Sequence, residues 1–227
     1  MSVTHGRDRR TERAEATRRE ILDAAWALVR EEGLAALTMR ELGARVGLRA
    51  QSLYGYFPSK HAIYDAMFGA ANRELMARWN AAIAPETADP VTQLRRRTAA
   101  FLQFCVEDPV RHQLLFQRTI PRFEPSPTSY TPAVEGLEDL RARLRACGVD
   151  DPRAWDAWTA IAAGIAAQQN SNEPGGQRWV RLADELLDMF LAHYATASGA
   201  APQDREPAAP RHTAATATTR EGAPNDH

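Results

Sequence analysis

Apolar positions recur at intervals of three and four residues along most of the chain. No stretch alternates as a half-buried strand would, so the pattern predicts an all-α fold. Ile21, Leu22, Ala25, Leu28 and Val29 make the stripe of a first helix, which Gly33 closes. Met39, Leu42 and Val46 mark a second, with Thr38 placed to cap it and Glu41 placed to complete a capping box. Gly47 ends that helix. Ser52, Leu53 and Phe57 carry the period into a third, which Pro58 terminates because proline lacks an amide donor and disfavours helical geometry just before it. From Ser59 a helix through Ile63, Met67, Ala70 and Leu75 reaches about Trp79, and the segment from Pro85 to Pro90 breaks it. Further helices are expected over Val91 to Glu107, after Pro109, and over Ala133 to Ala146, Pro152 to Asn170 and Gln177 to Ala195. Pro121 to Pro132 reads as a proline-rich loop, and the chain beyond Ser198 has the composition of a disordered tail.

The stretch from Thr38 to Lys60, TMRELGARVGLRAQSLYGYFPSK, is therefore a helix, a glycine turn and a short helix, the layout of a helix-turn-helix DNA reader. Such a unit sets the first residues of its second helix against base edges, which makes Arg49, Ala50, Gln51 and Ser52 candidates for readout. Arginine pairs two-pronged with guanine and glutamine with adenine, each worth roughly 1–3 kcal/mol of discrimination. Tyr54 and Tyr56 either donate to phosphates and touch thymine methyls or serve as half-buried packing residues. Thr38 and Arg40 complete the candidate surface, Arg40 reaching a phosphate or a guanine from the groove edge.

Composition narrows how such a chain could hold DNA. With 28 basic and 29 acidic residues among 227, it is too close to neutral to bind as a diffuse polycation, so a localised face is required. Residues 1–60 hold 11 basic and 8 acidic side chains, and the remainder reverses the sign. Arg7, Arg9, Arg10, Arg13, Arg18 and Arg19 extend the basic face as a flexible arm, or the stretch from Arg7 to Arg13 forms a disordered solubilising leader. Lys60 is the only lysine in the chain. It follows Ser59, a helix cap, so that a compact cation sits beside the free amide donors of a helix N-terminus, a combination suited to phosphate.

LYGYFPSK, preceded by LTMRELGARVGLRAQS, resembles the DNA-binding domain of the TetR family of one-component transcriptional regulators over roughly Ala16 to Met67. Tyr56 stands where the family usually has histidine, Gln51 where glycine or proline is frequent, and Arg49 where a small polar cap is common. These departures lie on the base-reading helix and bear on the operator rather than the fold. The resemblance implies that Lys60 contacts the DNA backbone and that the helix after Ser59 joins the head to a ligand-binding body. It also implies that the last two helices pair across a two-fold axis. The expected organisation is a basic arm (1–13), a helix-turn-helix domain (14–62), a helical effector-binding and dimerisation domain (63–197) and a tail (198–227).

Periodicity in the last two helices agrees with a homodimer. Trp155, Trp158, Ala162, Ile165 and Gln169 share one face, Ala160, Ala163, Gly164, Ala166 and Ala167 thin the helix, and the stripe from Trp179 to Tyr194 is wider than one partner needs. Either both faces pack within one protomer, or a dimer forms through Trp155, Ala162, Ile165, Gln169, Trp179, Leu182, Leu186 and Phe190 and reads a near-palindromic duplex. The family's effector pocket lies in the body, where Phe101, Phe104, Cys105, Leu115, Phe116, Trp158 and Ile161 either form its apolar wall or simply pack the core. Gln168, Gln169 and Asn170 are polar groups that either orient a ligand or bond across the dimer.

Catalysis has little footing: no His-Glu-x-x-His, no paired cysteines, no Gly-x-Ser-x-Gly and no phosphate-binding glycine loop occur, so neither enzyme nor cofactor is expected. Cys105 and Cys147 read as core thiols, and the triplet Arg95-Arg96-Arg97 as a solvated helix face. No run approaches the ~18 apolar residues of a membrane span, and no signal peptide opens the chain, so a cytoplasmic protein is expected. These readings converge on a ligand-responsive repressor, released from its operator by a small, largely apolar effector.

Overall fold

Helix α1 (Thr4–Glu32) starts well before the apolar stripe that predicts it and occupies most of the stretch expected to be a flexible arm. The computed structural model describes residues 4–83 and 89–197; the tail beyond Ser198 and the break after Pro85 lie outside them up to Ala88, as do the side chains of Arg7 and Arg10. Among the described residues the chain is all helical, without strands. Gly33, at φ 85°, ends α1 and donates its N–H to Val29 O at 2.8 Å. After a 3-10 turn at Leu34–Ala36 come α2 (Met39–Arg45) and α3 (Ala50–Leu53). The sequence pattern predicts α3 reaching Pro58, yet only one turn of helix forms, and Tyr54 to Tyr56 continue as a turn. Phe57, fully buried, anchors the far side.

The head closes over Ile21, Ala25, Val29, Leu42, Leu53, Phe57, Ile63 and Met67. Leu114, Val110, Ile120 and Phe123 from the body pack into this same core, so head and body share apolar contacts rather than meeting at a linker. Gly43 explains the tight bend, because a Cβ there would lie 2.7 Å from the Leu48 carbonyl oxygen.

The body consists of α4 (Lys60–Ile83), α5 (Pro90–Glu107), α6 (Pro109–Phe116), α7 (Pro127–Ala146), α8 (Pro152–Asn172) and α9 (Ala183–Ala197). Helices α5 to α8 open alike: Asp89, Asp108, Ser126 and Asp151 each accept a backbone N–H as N-cap, and a proline follows. A cap of this kind contributes about 0.5–2 kcal/mol, and proline at the first helical position gives up no intrahelical bond. Helix α7 corrects the expected loop: it starts at Pro127 and runs through Pro132. Its start is held from outside by Asp65, as described below. The last helix likewise departs from expectation, since Val180–Leu182 form a 3-10 turn and the α-helix begins only at Ala183.

Candidate DNA-reading face and body cavity

The sequence-derived DNA candidates all reach the surface of the head. Thr38, Arg40, Arg49, Gln51, Ser52, Tyr54 and Lys60 are exposed, while Ala50 and Tyr56 are partly covered. Thr38 caps α2 by accepting the Glu41 N–H at 3.1 Å, which leaves its hydroxyl proton to donate outward. The capping box is only half made: the Glu41 carboxylate lies 3.7 Å from Arg45. Arg45 is neutralised by Glu31 and Glu32 as well, whereas Arg40, Arg49 and Lys60 pair with no carboxylate among the described residues. Ser59 accepts the Ala62 N–H at 3.1 Å and so caps α4, with Lys60 as its first residue. Arg18, which sequence placed in the basic arm, instead donates to the Tyr56 carbonyl and stacks on Phe57 at 4.3 Å, pinning the turn after α3. Only the register of α1 against α3, which no local pattern encodes, reveals that role.

Inside the body a cavity of about 270 Å³ lies between α4, α5, α7 and α8. Phe101, Phe116 and Trp158, expected from sequence, are in its wall, joined by Trp79, Thr98, Gly136 and Leu140. The other expected wall residues are elsewhere. Phe104 and Cys105 are fully buried in the neighbouring core, Ile161 packs between two cores, and Leu115 borders a separate groove. Burial pushes the Cys105 thiol up to about 12, which makes it inert, and it likewise raises half-buried Cys147. Gln168 is exposed and accepts from Asn172 at 2.6 Å.

Arg97 overturns the solvated-triplet reading. Residue 97 shares the inward face of α5 with Leu94 and Thr98, and its guanidinium is buried 3.7 Å above the Trp79 ring. Its Nε donates to Asp139 at 3.0 Å and its Nη2 to the Gly136 carbonyl at 2.6 Å. Burial lowers its pKa to about 10, which still leaves it charged at neutral pH. Arg95 also faces protein, pairing with Asp184 and Asp188 of α9.

Two contacts brace the junction of head and body, one within the body near the head and one between them. Asp65, one and a half turns into α4, accepts from the Ser126 N–H at 2.6 Å and from the Ser126 and Ser129 hydroxyls at 2.9 Å each, clamping the start of α7. Gly69 allows the approach, since a Cβ there would come within 3.0 Å of Ser129 Oγ. On the other side, Arg30 of α1 donates to Asp108, the cap of α6, at 2.8 Å.

The expected dimer residues divide. Ala162, Ile165, Gln169 and Phe190 are buried inside the protomer, so they are corrected to core positions. Gln169 is fully engaged there: its Oε1 accepts the Trp179 N–H at 2.9 Å and its Nε2 donates to the Glu173 carbonyl. Phe190 packs on Trp158 with ring centroids 5.1 Å apart. Asn170 donates to the Cys105 carbonyl at 3.1 Å, away from both ligand and dimer roles. Trp155, Trp179 and Leu186 are half-buried and Leu182 is exposed. The outward face of α8 carries Ala160, Gly164, Ala167 and Ser171, and that of α9 carries Leu182, Leu186 and Met189.

A helix-turn-helix head carrying unpaired cations, fused to a helical body with an apolar cavity, defines a DNA-binding regulator. Residues 21–67 match the sequence profile of "Bacterial regulatory proteins, tetR family". The chain is 24% identical over 165 residues to the HTH-type transcriptional repressor Rv1353c of Mycobacterium tuberculosis, covering 73% of this chain and 60% of that one. Its fold is similar to that of the TetR family transcriptional regulator PfmR from Thermus thermophilus, with a TM-score of 0.59 and 25% identity over 76% of this chain and 97% of that one. A TetR from Acinetobacter baumannii AYE, solved in complex with minocycline, shares the fold with a TM-score of 0.55 and 21% identity, over 79% of this chain and 96% of that one. The chain spans 44% to 60% of the length of the curated relatives it matches. Over residues 21–67 it is thus similar to the DNA-binding domain of TetR-family transcriptional regulators, and its helical fold is similar to theirs. The family is one of DNA-binding proteins and not of enzymes. Among the described residues no helix is long and apolar enough to cross a membrane, and no group of three His, Cys, Asp or Glu could hold a metal.

Proposed function

We propose that this protein is a homodimeric repressor that reads a near-palindromic operator and is released from it by a small effector held in the body cavity. One observation carries the reading: α4 belongs to both sites. It begins at Lys60 on the DNA face and, roughly 30 Å further along at 1.5 Å per residue, presents Trp79 to the cavity. The repressor name of the Mycobacterium relative and the minocycline bound to the Acinetobacter neighbour support the same assignment.

In this reading Arg49, Gln51 and Ser52 contact bases, with Ala50 against a thymine methyl, while Thr38, Arg40, Tyr54, Tyr56 and Lys60 hold the backbone. The two-fold interface forms through the outward faces of α8 and α9, where Gly164 and alanines let helices approach and Leu182, Leu186 and Met189 supply apolar area. An effector filling the cavity displaces α7 relative to α4, and the Asp65 clamp passes that shift to the head, so the two recognition helices no longer fit successive grooves. The effector must bind the released conformation more tightly than the DNA-bound one, and operator must weaken effector binding by the same factor.

The test is selection from a random duplex library at moderate salt. A recurring inverted repeat is expected; no enrichment at any salt concentration would overturn the operator reading and favour a helical adaptor for another protein.

A further inference from the structure

We propose that the cavity takes a small monocarboxylate, its apolar, ring-sized body lying among Trp79, Phe101, Phe116 and Trp158 and its carboxylate meeting Arg97 and Thr98. This assignment deepens the ligand-responsive reading above and rests on it. The charge count at the cavity floor points to an anion. Asp139 is shared between two guanidinium groups, Arg97 at 3.0 Å and Arg143 in a two-pronged contact at 2.9 and 3.0 Å, and Arg143 turns its remaining donor to the side-chain oxygen of Gln93 at 2.8 Å. Two cations around one carboxylate leave an excess of positive charge, and Arg97 is its buried member. A buried cation without full compensation is costly, and an anionic ligand supplies what the protein does not.

The donors are also in place. Arg97 directs Nε to Asp139 and Nη2 to the Gly136 carbonyl, while Nη1 has no protein acceptor among the described residues. One residue further along the same wall, Thr98 is 94% buried and lines the cavity, and its hydroxyl makes no hydrogen bond with any described residue. A guanidinium and a hydroxyl that line one cavity are two donors for one carboxylate. The rest of the lining is mostly apolar and aromatic, which excludes a dianion or a sugar. An apolar cavity of about 150 Å³ holds a benzene ring, so about 270 Å³ accommodates a ring with a short acid-bearing chain.

The experiment is calorimetric titration of the full chain at neutral pH with three probes of one skeleton: 4-phenylbutanoate, 4-phenylbutan-1-ol and 4-phenylbutylamine. The carboxylate is expected to bind at least tenfold more tightly than the alcohol, and the amine more weakly than either. Thr98→Val, nearly the same shape, should lower carboxylate affinity several-fold, and Arg97→Gln should bring it down to that of the alcohol. Thr98→Val serves as the deciding variant if Arg97→Gln does not fold. Equal affinity for carboxylate and alcohol, binding of none of the three, or carboxylate affinity unchanged in Thr98→Val and any folded Arg97→Gln would overturn the assignment. Release of the selected operator is measured alongside. Release by the alcohol at equal affinity would refute the carboxylate while sparing the regulator; tight carboxylate binding with unaltered DNA affinity would support the carboxylate and refute the ligand-released repressor.

Discussion

Lys60 occupies the first position of a capped helix on the proposed DNA-reading face, and Ser59 already uses its hydroxyl to hold the Ala62 N–H. A cation there adds to the N-terminal field without competing for the cap. Lys60→Ala should weaken binding to all duplex sequences alike and reduce the slope of log affinity against log salt by about 1, as loss of one phosphate contact does. Unchanged slope and affinity in a salt series would refute the contact. His112 carries a second expectation. It is buried beside Phe116, and burial holds its pKa below the ordinary imidazole value. The unfolded chain therefore takes up a proton that the folded one refuses. That stability is fully present above about pH 6.5 and is lost as pH falls below it, toward the lowered folded value. Thermal melts at pH 7.5 and 5.5 should differ, and His112→Gln should shrink the difference. An undiminished difference in the variant would assign the acid sensitivity to other groups.

Among the elements, α7 shows most clearly where local signals stop. Its start lies in a run with four prolines and no apolar period, and sequence reading leaves that run as loop. The helix exists because Ser126 caps it, Pro127 fits the first turn, and Asp65, 61 residues earlier, binds its first donors. Only the first two of those are local. Asp65→Ala should cost about 1–3 kcal/mol in urea unfolding, because part-buried donors lose a charged acceptor. It should also blunt operator release at saturating effector. A stable variant with full release would show that α7 and α4 are coupled by packing alone. The helix-turn-helix, by contrast, is legible in its caps and glycine turn, which act within a few residues, but not in the length of α3, which ends at Leu53 and not at Pro58. Arg97 was misread for the opposite reason: three adjacent arginines point in three directions around a helix, and which one faces inward depends on where α5 meets α4 and α7.

At the scale of the whole molecule, the all-helical architecture follows from periodicity, while the inner and outer faces of α8 do not, because both are apolar. Trp158, Ala162 and Ile165 turn inward, and Gly164 faces open space, with no protomer atom within 4 Å of a Cβ built there. Gly164→Glu should therefore leave each protomer folded but separate the two copies of the proposed dimer, giving a monomer by light scattering and at least a tenfold loss of operator affinity. A variant that stays dimeric would move the interface elsewhere.

Under the proposed function, the sensing wall and the DNA-gripping end are one rod, α4, so neither end can be retuned in isolation. Replacing Trp79 to admit a bulkier inducer would also reset how firmly the promoter is held when no inducer is present. Anyone adapting this scaffold as a biosensor should therefore find ligand range and background expression changing together, and should select for both at once.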